Sequence, residues 1–163
     1  MELTPTAVER ERDWVRERAD VVVPLVNDVR ASLGDEFDTH VDAVSVEQYE
    51  RAVDDVFAAG DRAVNVAALV AVLRDLDVSD DYPGFVVDEL LGRELAAMIA
   101  GEQPLRLLAE STFHYADVTA TDTDGGAGAD DLDAALAAGF QTRLPGWSWI
   151  EADSPFGVPR TQR

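Results

Sequence analysis

The sequence predicts an all-α, single-domain bundle of about six helices, and three observations carry that prediction. Apolar residues recur at helical intervals almost throughout the chain. Helix punctuation stands at the ends of the periodic stretches: Thr4-Pro5, Ser45 and Pro104 at starts, Gly34, Gly60 and Gly101 at stops. The 163 residues, free of internal repeats, suffice to bury about 68–70% of the unfolded surface in one core.

Taken in order, Pro5 suits the first position of a helix, where its missing N–H costs nothing. From there Val8, Val15, Val22 and Val29 recur every seven residues, with Ala19, Val26 and Leu33 filling the stripe to Gly34. Pro24 interrupts this pattern, which predicts a kink or two helices divided near Asp20. Ser45 with Gln48 reads as a capping box opening a helix that ends at Gly60. The next runs from Asp61 to Leu76. Its broad stripe of Val66, Leu69, Val70, Val72, Leu73 and Leu76 marks it as the central, most buried helix.

After a turn at Asp81–Gly84, a helix carries Phe85, Val87, Leu90, Leu91, Leu95, Met98 and Ile99 up to Gly101. Pro104 starts another, with Leu105, Leu108, Ala109, Phe113 and Ala116 on one face. A short helix over 130–140 follows. Residues 1–140 therefore read as one helical domain, with 117–129 as a mobile acidic loop. Residues 141–163 read as an extended segment packing on that domain or projecting from it.

Charge is the most distinctive property of the chain. It holds 33 carboxylates, 21 of them aspartates, against 13 arginines and no lysine, for a net charge of -20. Such a charge keeps a protein soluble, and concentrated salt screens its self-repulsion where acids crowd, as at Asp54-Asp55 and Asp80-Asp81. Short aspartates and compact arginines also expose little alkyl chain, an advantage where salt strengthens apolar association. In composition the chain resembles the proteins of salt-accumulating halophilic archaea. A cytoplasm of high salt is the expected location.

Several classes of chemistry are excluded. Without cysteine there is neither disulfide nor thiolate chemistry, and without lysine there is no Walker-type phosphate loop and no Schiff base. The N-terminus lacks a basic stretch followed by an apolar one, and no apolar run approaches the ~20 residues of a membrane span. Neither nucleic acid nor membrane is an expected partner, since phosphate backbones require clustered basic charge.

Four constellations remain. Between Glu9 and Asp20, Arg10, Arg12, Arg16 and Arg18 alternate with five acids, so that segment nets -1 and the rest of the chain -19. It reads either as an arginine face for an acidic partner or a second copy, or as a solvated helix laced with pairs such as Glu9–Arg12 and Asp13–Arg16. Glu36, His40, Glu110, His114 and Asp117 form a second group: each histidine follows a glutamate by four residues, and Asp117 lies one turn beyond His114. Brought together, these five would suit zinc, manganese or iron. Surface histidines pairing with carboxylates are the plainer reading.

The nine residues GGAGADDLD, from Gly125 to Asp133, fit one turn of a calcium β-roll, which requires many stacked copies; the same letters describe a loop running into an aspartate-capped helix. Trp147 and Trp149 share one face of an extended segment and either cap the bundle or anchor a partner. No serine–histidine set suits nucleophilic catalysis, Ser111 and His114 sharing a helix face with nothing to complete a site.

The sequence thus reads as a non-enzymatic adaptor or regulator, without a cofactor, that binds another protein or a second copy of itself. Its expected contacts are Trp147, Trp149, Arg10, Arg12, Arg16 and Arg18. The alternative is a small metal-binding protein or metalloenzyme using Glu36, His40, Glu110, His114 and Asp117.

Overall fold

Thr4 opens the fold as the sequence leads one to expect, its Oγ1 accepting the Ala7 N–H at 3.0 Å ahead of Pro5. The computed structural model describes residues 2–58, 60–75, 90–120 and 127–146, with side chains outside 118–120 and 127–131. These residues form seven α-helices and no strand: α1 (Pro5–Glu17), α2 (Ala19–Glu36), α3 (Val46–Phe57), α4 (Gly60–Asp75), α5 (Arg93–Ala100), α6 (Leu105–Ala120) and α7 (Ala127–Gln141). The chain is an all-α bundle.

The long N-terminal stripe divides at Arg18, two residues before the expected position. Its carbonyl accepts the Val22 N–H at 2.9 Å and so starts α2. Pro24 stays inside α2 as its sixth residue, where it can offer no N–H to the Asp20 carbonyl, yet the helix continues past it. Gly34 does not stop α2, which runs on to Glu36 before Asp38 turns the chain with a φ of 48°. Ser45 and Gln48 form the capping box in full, through bonds of 3.2 and 2.9 Å.

The centre of the bundle is α7, not α4. Every residue from Leu132 to Thr142 is buried, and α7 packs against α2, α3, α4, α5 and α6. Helix α4 is apolar on too many sides to be covered: Val64 and Val72 remain about 41% and 40% exposed. Alanine and glycine earn α7 its place, because small side chains let neighbouring backbones approach. A Cβ on Gly139 would fall 2.7 Å from the Ile99 Cβ of α5, closer than any real contact. Of the loop expected over 117–129, residues 117–120 belong to α6 and 127–129 to α7, and 121–126 lie outside the described residues.

Polar groups inside the bundle are paired. Arg30 of α2 is 1% exposed and donates to the Gln141 side-chain oxygen and to the carbonyls of Asp42 (2.5 Å), Pro145 (2.6 Å) and Leu144 (3.3 Å). Gln141 in turn donates to the Val26 carbonyl at 3.2 Å. One guanidinium so fastens the turn after α7 to α2 and to the 38–45 loop. Burial pushes its pKa down to about 10, which still leaves it charged at neutral pH. Tyr49 of α3 is fully buried, donates to the Val15 carbonyl at 2.8 Å and meets Phe140 edge-on at 5.4 Å.

No single described helix is long and apolar enough to cross a membrane. Trp147 and Trp149, the turn at 81–84 and the first part of the helix expected after it lie outside the described residues.

Candidate functional site

The outward side of α1 is built by the helical period itself. Thr6, Glu9, Arg10, Asp13, Trp14 and Glu17 recur at three- and four-residue steps, so they share one face, while Ala7, Glu11 and Val15 are buried on the other. The six line a shallow depression of about 360 Å³, with the half-buried Trp14 among exposed charged groups. An aromatic ring within a polar rim is the usual anatomy of a protein-binding hot spot.

Trp14 is held from within. The guanidinium carbons of Arg74 and Arg18 sit 5.0 and 5.5 Å from its ring centroid. Each of those arginines is fixed by a carboxylate: Arg74 grips Glu11 through both oxygens, one bond measuring 2.8 Å, and Arg18 grips Asp133 of α7 at 2.8 and 2.7 Å. The hydrogen bond to Glu11 raises the Arg74 pKa further above the neutral range. Indole, two guanidiniums and two buried carboxylates thereby join α1 to α4 and α7.

The four candidate arginines of this region do not form a common face. Arg16 turns toward α3, where it pairs with Asp54 and with Glu50 at 3.1 Å, the Asp54 bond chiefly raising its pKa. Arg18 is committed to Asp133. Arg12 pairs with its neighbour Asp13 at 3.2 Å, so the expected Glu9–Arg12 and Asp13–Arg16 pairs give way to other partners. Arg10 stays exposed on the outward face. Trp14 itself escaped the sequence reading, although its position four residues from both Arg10 and Arg18 marked it as their neighbour on the helix.

The possible metal ligands are dispersed. Glu36 does reach α6, where it accepts the Tyr115 hydroxyl proton in a hydrogen bond that raises the tyrosine pKa. His40 is exposed on the loop and bonds Asp42 at 2.8 Å. Glu110, His114 and Asp117 follow one another along α6, with His114 facing solvent. Among the described residues no three acidic or histidine groups gather as a metal site. Packing does bring Glu36 to α6, but onto Tyr115, and the five candidates do not share a site. Ser111 donates back to the Leu107 carbonyl at 2.8 Å, a bond within its own helix. Residues 127–133 are helical, which removes them from any β-roll turn.

An all-α bundle with a charged face around an aromatic ring on its first helix is the class this fold defines. The chain belongs to the family described as Domain of unknown function (DUF7984), whose model matches residues 1–160. No curated protein and no solved structure matches it.

Proposed function

We propose that this is a haloadapted, cytosolic, non-enzymatic interaction protein, an adaptor or regulator that docks through the outward face of α1. The occupant that best fits this face is a second copy of it. The observation that carries the reading is self-complementary charge around an aromatic centre. Laid antiparallel with Asp13 and Trp14 at a two-fold axis, the face sets Arg10 of one copy level with Glu17 of the other, twice. Arg10 offsets one of the three acids of this face, Glu9, Asp13 and Glu17, so two copies meet there only where the remaining repulsion is screened. Concentrated salt both screens the remaining repulsion and strengthens burial of the indole.

Sedimentation equilibrium in about 3 M KCl, where the Debye length is below ~3 Å, tests this. The wild type is expected to dimerise. Arg10→Glu should weaken the dimer by about tenfold, equivalent to ~1.4 kcal/mol, and the double variant Arg10→Glu/Glu17→Arg should restore it. A wild-type monomer at every concentration, or a double variant as weak as the single one, rejects the pairing. The salt component has its own check: the melting temperature should fall as KCl drops below about 0.5 M, and a flat profile between about 0.2 and 3 M would exclude haloadaptation.

A further inference from the structure

Two guanidiniums converge on Gly101, at the C-terminal end of α5. Gly101 has a φ of +90°, and a Cβ there would lie 2.8 Å from Arg62 Nη2 and 3.1 Å from Arg143 Nη2. The bare glycine is what admits both. Since each nitrogen lies about 3 Å from one point, the two are no more than about 6 Å apart. Arg143 is partly accounted for: its Nε donates to the Ile99 carbonyl and its Nη2 to the Ala100 carbonyl at 3.3 Å, capping α5. Arg62 has no such account. Among the described residues its guanidinium makes neither a hydrogen bond nor an ion pair, in a chain with 33 carboxylates.

Guanidiniums this close repel one another, so an anion between them is favoured. Burial and then the adjacent Arg62 lower the Arg143 pKa; Asp55 and Glu102 act in the opposite direction, yet neither comes within ion-pair distance of Arg143. We propose that Arg62 and Arg143, set side by side over Gly101, form a binding site for a compact tetrahedral oxyanion such as phosphate. Charge-assisted N–H···O bonds of about 2.7–2.9 Å to two oxygens of one such ion span the gap between the guanidiniums. The planar fork of arginine suits that geometry better than a lysine ammonium would.

Titration with inorganic phosphate at constant ionic strength in KCl, followed by calorimetry and by melting temperature, tests the site. Saturable binding to the wild type is expected. Arg62→Gln should weaken it at least about tenfold, the loss of one charge-assisted contact. Arg12→Gln, an arginine elsewhere on the surface, should leave it unchanged. Because Arg62 bonds nothing among the described residues, Arg62→Gln should also melt no lower than wild type when phosphate is absent. The proposal is overturned by wild type that shows no saturation, by equal affinity in Arg62→Gln, or by added chloride reproducing the response at equal ionic strength.

Discussion

Helices α1 and α7 are made of opposite materials and meet the same difficulty in the same way. Helix α1 carries seven charged residues, Glu9, Arg10, Glu11, Arg12, Asp13, Arg16 and Glu17, and packs against α2, α3 and α4 at the edge of the bundle. Helix α7 is largely alanine and leucine, and its neighbours surround it. Yet each must bury an acid: Glu11 is 3% exposed and Asp133 6%. Each does so by receiving an arginine from another helix, Arg74 from α4 and Arg18 from the junction of α1 and α2. A chain with so few bases commits several of them to its buried polar groups, because a buried carboxylate left alone costs far more than an exposed pair returns. The acid excess is left to the surface.

The contrast is sharpened most by cutting into α7. Leu136 is fully buried, and Leu136→Ala should cost about 2–5 kcal/mol, measured by urea unfolding in concentrated KCl. A loss below 1 kcal/mol would mean that α7 is not the centre. Breaking the α1 acid pair comes next. Glu11→Gln keeps the shape but removes the charge facing Arg74, and should cost about 1.5–3 kcal/mol, whereas Glu9→Gln on the exposed face should stay within about 0.5 kcal/mol. Equal effects at the two positions would erase the distinction between inner and outer sides of α1.

The smallest expected effect joins the two helices. Tyr49 touches Phe140 of α7 and bonds Val15 of α1, so Tyr49→Phe should lose about 0.5–1.5 kcal/mol, toward the lower end because the Val15 carbonyl also accepts from Arg18. Burial, reinforced by Asp133, raises the folded-state tyrosine pKa above its ordinary value near 10. Its contribution is therefore complete below about pH 10 and is lost as pH rises beyond it, since only the unfolded chain releases the proton there. Tyrosinate absorbance from Tyr49 should appear only together with unfolding. Titration of this residue in the folded protein, seen as the difference from Tyr49→Phe, would contradict its burial.

How far the sequence was legible follows from the same pair of helices. Thr4-Pro5, the Ser45–Gln48 capping box and the Gly101 stop act within a few residues of themselves, so local chemistry placed them correctly. The importance of α7 was not local. Ala134, Ala135, Ala137 and Ala138 carry little hydrophobic signal one at a time, and the value of their smallness arises only when other helices close on it. The candidate site divides likewise. The near-neutral charge of the 9–20 segment could be counted directly, but the destinations of Arg16 and Arg18 lay on α3 and α7, far away in sequence. Glu36 met Tyr115 rather than a histidine for the same reason.

By itself, then, the sequence determined the helical class, most helix boundaries, the charge excess and the absence of thiol and amine chemistry. These depend on short-range propensity or on composition, and neither requires knowing the fold. Only the tertiary structure decided which helix is central, which arginines are occupied, and that Arg62 and Arg143 come together over a glycine. Pairings of that kind join residues up to 115 positions apart, and packing chooses among many carboxylates of equal local merit.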